Sequence, residues 1–321
     1  MMAPIPIAVV RRITPNSFLT MQYPSPARQS SPSPSPAIAV DETAAVHPRD
    51  IQLLVLDIDG TIAGRSNQIR PPIKQAVQAA QAKGIHVAIA TGRMFCSALR
   101  FYRDLGATLP LMTYQGALIK DPDTQTVHRH WTVPQVRVAE LLDYFEQPDL
   151  RSRLSVHFYI DDQLYVRELT PETEDYLSRS TITAIPVGDL RHTFDREPTK
   201  ILSVAEDVEL MEQVLTDLKQ RYAPSELYLT KSIATFFEAT HPQVNKGTAV
   251  QYLAEEYLHI QPENVMVVGD NFNDVEMIQY AGIGVAMGNA PDGVKAVADW
   301  VAPDVEQDGV AAAIEEFLLR A

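Results

Sequence analysis

From Ile51 onward the chain alternates between two hydrophobic periods. Continuous apolar runs of strand length, "IQLLVLD" (51–57) and "IHVAIATGR" (85–93), are each followed by a stretch whose apolar residues recur at helical spacing. These stretches are "PPIKQAVQAAQAKG" (71–84) and "MFCSALRFYRDLG" (94–106). Uninterrupted apolar strands are those of a parallel sheet covered on both faces. The leading prolines of the first helix, and Gly84 and Gly106 after the last periodic residues, are start and stop signals. "LPLMTYQGALI" (109–119) predicts a third strand of the same sheet.

The rhythm changes after about residue 118. "VHRHWTV" (127–133) predicts a strand and "PQVRVAELLDYFEQ" (134–147) a helix. "LSVHFYIDDQLYVREL" (154–169) is two alternating runs about an Asp161-Asp162-Gln163 turn, a hairpin pattern. "KILSVAE" (200–206) reads as a strand, and "DVELMEQVLTDLKQRY" (207–222) as a helix with Asp207 as N-cap. The βα rhythm returns with the helix "NKGTAVQYLAEEYLHI" and the strand "NVMVVGD". The helix "NDVEMIQYAG", the strand "IGVAMGNA" and the helix "PDGVKAVAD" follow. The predicted fold class is α/β: one doubly wound parallel sheet interrupted by an inserted α+β domain with an antiparallel sheet. The expected boundaries are 49–117 and 230–321 for the core, 118–229 for the insertion and 1–48 for an N-terminal extension.

That extension differs in composition. Its first forty residues hold no Asp or Glu, three Arg, six Ser and eight Pro, including "SSPSPSP" (30–36). Such a segment buries too little apolar surface to offset its ordering entropy and is expected to be disordered. Three readings stay open: a dispensable tail with Met21 as the true start, an organellar transit peptide, or a Pro-rich binding segment. The net charge of −14 argues against a generic nucleic-acid binder. No stretch approaches a bilayer-spanning length. The single cysteine, Cys96, excludes an intrachain disulfide and fits a reducing compartment. The expectation is a cytoplasmic protein, or an organellar one if the extension is a transit peptide, with neither nucleic acid nor membrane as partner.

Three predicted parallel strands end in polar clusters: Asp57-Ile58-Asp59, Thr91-Gly92-Arg93, and Gly269-Asp270 with Asn273-Asp274. In open α/β sheets ligands gather at these strand ends. Alone, an Asp-x-Asp is most simply a turn. Three carboxylates converging on one crevice would repel each other without a cation, and hard oxygen ligands suit Mg²⁺. An Asp can attack phosphorus, Asp59 can reach the same centre, and Thr91 and Gly92 offer donors. Lys246 opens a helix and can cancel charge between nucleophile and phosphate.

These residues resemble the motifs of the haloacid dehalogenase (HAD) superfamily: "DIDGT", "ATGR", Lys246-Gly247 and "GDNFNDVEMI", in that order. Within it the chain is most similar to the Cof-type, class IIB phosphatases, whose C2 cap domain is inserted between the second and third motifs. The resemblance implies a HAD-like core and a Mg²⁺-dependent hydrolysis of small phosphomonoesters, sugar phosphates or similar, through an aspartyl-phosphate. It implies Asp57 as nucleophile and Mg²⁺ ligand, and Asp59 as general acid/base with its backbone carbonyl on the metal. It further implies Thr91, Gly92, Lys246 and Asn273 on phosphate, Asp270 as metal ligand, and Asp274 as ligand or support. Arg93, Gln115 and Gly116 are candidates for orienting substrate. Gln115-Gly116-Ala117 departs from the family's usual Asn-Gly-Ala. A phosphomutase or phosphotransferase using the same intermediate, and a non-enzymatic phosphate sensor, are the alternatives. From the insertion, Arg153, His157, Tyr159 and Arg191 are candidates for reading the leaving group. Cys96 is expected in the core, and the acidic "EAT" segment (238–240) on a solvated face.

Overall fold

In a computed structural model the described residues are 50–180 and 182–320. The predicted extension, 1–48, lies outside them. Strand β1 (Leu53–Leu56) leads to helix α1 (Pro71–Ala82), which is followed by Gly84 at φ +87°. Then come β2 (His86–Ile89) and α2 (Phe95–Leu105). The predicted third strand is shorter than its apolar run. β3 (Leu111–Thr113) stops where Tyr114 and Gln115 take φ of +53° and +63°, and β4 (Leu118–Lys120) folds back antiparallel. Neither residue has glycine's freedom at positive φ, so the pattern carries no sign of the turn. β5 (Val127–His130) completes this small sheet.

The next stretch holds α3 (Gln135–Phe145), α4 (Pro148–Arg151), β6 (Ser155–Ile160) and β7 (Gln163–Val166). Asp161 and Asp162, at φ +51° and +59°, make the predicted hairpin turn between β6 and β7. α5 (Pro171–Ser180), β8 (Ala184–Pro186), β9 (Lys200–Val204) and α6 (Val208–Arg221) follow, and Asp207 caps α6 by accepting from the Leu210 amide at 3.0 Å. β10 (Tyr228–Thr230) and β11 (Phe236–Thr240) close a six-stranded sheet of order β10-β11-β9-β6-β7-β8, antiparallel except for β7–β8. This sheet runs to Thr240, past the residue 229 at which the pattern divided the chain.

The second half of the core is α7 (Lys246–Gln251), β12 (Val265–Gly269), α8 (Val275–Tyr280), β13 (Ile283–Ala286), α9 (Asp292–Lys295), β14 (Trp300–Val301) and α10 (Gly309–Ile314). The parallel sheet has order β14-β13-β12-β1-β2. The chain steps outward from β1 to β2, then returns to the other side of β1 to lay down β12. The β1–β12 boundary is therefore the switch point, where a crevice opens beyond the strand ends. Leu54, Leu56, Val87 and Val268 pack toward α1, α2 and α10, while Leu53, Val55, Val265 and Val267 pack toward α7 and α8. Burial on both faces is why these strands read as continuous apolar runs.

The six-stranded sheet also has two dressed faces. Phe158, Ile160, Ile201, Phe237 and Ala239 pack on α3 and α6. Their alternate neighbours Tyr159, Leu202 and Val204 join the core's own apolar cluster. The inserted domain thus lays one face of its sheet over the crevice as a cap.

Candidate active site

Asp57 is the first residue beyond β1, and its amide donates to the Val268 carbonyl at 3.1 Å, pinning it beside the end of β12. Its carboxylate is nearly buried and accepts from Lys246 Nζ at 2.6 Å. Lys246, the first residue of α7, also donates to Asp274 at 2.6 Å. Asp274 spends its other oxygen on the amides of Asp270 (2.8 Å) and Asn271 (2.9 Å), which shapes the loop after β12. Asp270 accepts from the Thr61 hydroxyl at 3.3 Å and Asn289 Nδ2 at 3.2 Å.

Asp57, Asp270 and Asp274 present carboxylate oxygens within 4.8 Å of one another. Two glycines make the room. A Cβ on Gly60 would lie 2.2 Å from Asp270 Oδ2, and one on Gly269 2.5 Å from the Asp274 side chain. Burial pushes Asp57 up to about 7, against the pull of Lys246 and with the push of Asp274 and Asp59. Burial, then Asp57 and Asp274, raises Asp270 well above the usual carboxylate range. An all-oxygen cluster whose charge is penalised in this way fits a hard divalent cation such as Mg²⁺.

Asp59 stands apart from that cluster. Its carboxylate is half-exposed and gripped at both oxygens by Arg93, Nε at 2.8 Å and Nη2 at 2.6 Å. Arg93 is also held by Asn67 at 2.8 Å. Thr91 is fully buried, and its hydroxyl accepts from the Arg93 amide at 3.2 Å, forming the turn after β2. Asp57, Asp59, Gly92, Arg93, Asp270 and Asn273 line a cavity of about 180 Å³. The cap closes it with Tyr176, Leu202, Ile233 and Phe236 on an apolar side, and with Lys200, Ser232 and Glu238.

A sequence model of the haloacid dehalogenase-like hydrolases matches residues 54–314. The chain belongs to that family. This haloacid dehalogenase-like hydrolase is 31% identical over 274 residues to the 5-amino-6-(5-phospho-D-ribitylamino)uracil phosphatase YcsE of Bacillus subtilis, covering 84% of this chain and 97% of that protein. It is 28% identical to the pyridoxal phosphate phosphatase YbhA of Escherichia coli, covering 84% and 99%. The crystal structure of a haloacid dehalogenase-like hydrolase from Bacteroides thetaiotaomicron superposes with a TM-score of 0.72 at 25% identity, covering 83% of this chain and 99% of that one. The chain is a Cof-type phosphatase of the family.

Several expectations need correction. Gly116, a candidate for orienting substrate, lies behind the site, where a Cβ would meet the Ala249 Cβ at 2.6 Å. Gln115 is fully buried and commits its amide to Glu238 and Asn273, both at 3.0 Å, rather than to the cavity. Arg153 and Arg191 form surface ion pairs with Asp207 (2.8 Å) and Asp143 (2.5 Å). Cys96 is exposed rather than core; partial burial and the nearby Asp162 push its thiol up to about 12, far from a reactive thiolate. The "EAT" segment is not solvated, since Glu238 is 1% exposed and pairs with Lys200 at 3.3 Å.

The sequence reading also missed Asn289. It bridges Asp270 and the Gly60 carbonyl (2.9 Å) and accepts from the Val305 amide at 3.0 Å. It follows the end of β13, so the strand-end rule that found the other residues covers it too.

Proposed function

We propose that this phosphatase is Mg²⁺-dependent and hydrolyses small phosphomonoesters, sugar phosphates or similar, through an aspartyl-phosphate on Asp57. The observation that carries the reading is the Asp57 carboxylate at the floor of the switch-point crevice, held at 2.6 Å by a buried lysine. Lys246 aims the nucleophile and offsets its charge against phosphate. Mg²⁺, held by Asp57, Asp270 and the Asp59 carbonyl, would neutralise charge on the transferring phosphoryl group. Asp274 has three of its acceptor sites occupied, which favours a supporting role for it over direct ligation. Thr91, Gly92 and Asn273 border the phosphate position.

In the first half-reaction an Asp57 oxygen bonds to phosphorus as the ester P–O bond breaks, and the departing alcohol takes its proton from Asp59. In the second, Asp59 removes a proton from water, the hydroxide attacks phosphorus, and Asp57 leaves with inorganic phosphate as product. Arg93 engages both Asp59 oxygens, so proton transfer begins with that pair opening; the half-exposed side chain has room to turn. The apolar side of the cavity suits a leaving group with a hydrophobic or ring-shaped face. Pyridoxal phosphate and the ribitylaminouracil phosphate, named for two relatives, are therefore first candidates.

The decisive experiment is phosphate release from an ester panel with and without Mg²⁺, using wild type and Asp57→Asn. Release by the wild type and a loss of about 10³-fold or more in the variant, which stays folded, is expected. Substantial turnover by Asp57→Asn would exclude Asp57 as the nucleophile.

A further inference from the structure

Glu238 and Lys200 face the crevice from the cap, yet three of the carboxylate's acceptor sites are already taken by protein. Glu238 Oε2 accepts from Gln115 Nε2 at 3.0 Å and Lys200 Nζ at 3.3 Å, and Oε1 accepts from the Ser232 hydroxyl. Lys200 also donates to the Gly92 carbonyl at 2.9 Å. The far end of the Gln115 amide accepts from Asn273 Nδ2 at 3.0 Å. Glu238 is 1%, Lys200 3% and Gln115 0% exposed. A buried polar network therefore runs from two cap strands to two positions that border the phosphate pocket, to Asn273 through Gln115 and to the Gly92 carbonyl through Lys200.

The turn that carries Gln115 is gripped from the cap twice. Tyr114 and Gln115 sit consecutively at positive φ, a conformation that persists only where the surroundings over-determine it. The Tyr114 hydroxyl donates to Asp162 Oδ1 at 2.7 Å, at the tip of the β6–β7 hairpin. The other oxygen of Asp162 accepts from the Cys96 amide at 2.9 Å. Both strained side chains thus end on cap carboxylates, while the Tyr114 and Gln115 amides donate to the carbonyls of Arg93 and Thr91, each at 3.0 Å. Asparagine, one methylene shorter, would not span from this backbone to both Glu238 and Asn273.

We propose that Gln115 is a positioning residue that clasps the cap to the core and, through Asn273 and the Gly92 turn, aligns the phosphate pocket only when the cap is seated. The alignment half rests on the phosphatase reading of that pocket. Lifting the cap would strip Glu238 of Gln115 and Lys200 of the Gly92 carbonyl, so the seated state is favoured as a unit.

The test compares wild type with Gln115→Leu, Gln115→Asn and Tyr114→Phe in two measurements. One is amide hydrogen exchange at residues 91–96 and 114–116, with β1 and β12 as internal controls. The other is Mg²⁺-supported phosphate release from p-nitrophenyl phosphate. Both Gln115 variants are expected to exchange about tenfold faster at the two segments with unchanged β1 and β12. Their kcat should fall about tenfold with KM within about threefold. Tyr114→Phe should move exchange in the same direction, and it decides the clasp if a Gln115 variant also loosens β1 and β12. Unchanged exchange in folded variants overturns the clasp, even with a fall in kcat, because Gln115 would then act through Asn273 without holding the cap. Faster exchange with unchanged kcat overturns the alignment. Absence of phosphate release by wild type from p-nitrophenyl phosphate and from every ester of the panel would sink the Mg²⁺-dependent reading alone, and the exchange arm would still decide the clasp.

Discussion

At the scale of single residues, Lys246 balances two buried carboxylates at once. Its ammonium is fully buried between Asp57 and Asp274, each at 2.6 Å. Burial works against its charge, but Asp274 and Asp57 outweigh this and raise its pKa. Lys246→Met would leave two carboxylates buried without their cation. Unpaired buried charges cost about 3–5 kcal/mol, so urea unfolding at pH 7 should show a loss of that order. A loss below about 1 kcal/mol would mean that the aspartates find other partners. Asp57, Asp59, Asp270 and Lys246 were legible because each stands where an apolar run ends or a helix begins, and there the pattern itself fixes position. Glu238 was not legible. A single carboxylate in an alternating strand reads as solvent-facing, and its partner Lys200 belongs to another strand of the cap.

At the scale of elements, the two faces of the cap sheet differ in their tolerance of charge. His157 on β6 lies on the core-facing side, bonded to the Thr173 hydroxyl at 2.9 Å. Burial, and then the Lys200 charge, pushes it down to about 3; Tyr159 and Tyr176 are the other titratable groups against it. The unfolded chain takes up a proton near 6.5 that the folded chain refuses until about 3. Stability from this group is therefore complete above 6.5 and is lost as pH falls through that window. Between pH 7 and pH 5, His157→Gln should lose about 2 kcal/mol less stability than wild type in urea titrations. Equal losses would mean that His157 is protonated while folded. Most elements were legible from period alone, including the β6–β7 hairpin and the cap of α6. The β3–β4 turn was not, because Tyr114 and Gln115 hold their backbone through tertiary contacts to the cap and to the turn after β2.

At the scale of the whole molecule, the chain carries a net charge of −14, and three of its carboxylates, Asp57, Asp270 and Asp274, meet at one point. A cation bound only by the folded state stabilises it by mass action, about 2.7 kcal/mol at a hundred times its Kd. Mg²⁺ should raise the thermal midpoint, EDTA should reverse the rise, and Asp270→Ala should abolish it. A midpoint indifferent to Mg²⁺ in the wild type would rule out this cluster as the metal site. Among the described residues no helix is long and apolar enough to cross a membrane.

The pairing of Leu53 with Val265 has a further consequence for synthesis. The cap sheet uses only strands between Ser155 and Thr240, so its partners emerge from the ribosome together. β1 emerges early but must wait for β12. At about 5–20 residues per second this wait is on the order of 10–40 s, with one edge of "LLVL" unpaired. During that interval the nascent chain carries a sticky apolar edge next to a nearly complete neighbour. Slow segments of the message, or a chaperone arriving late, would therefore act on β1 more than on any strand of the cap.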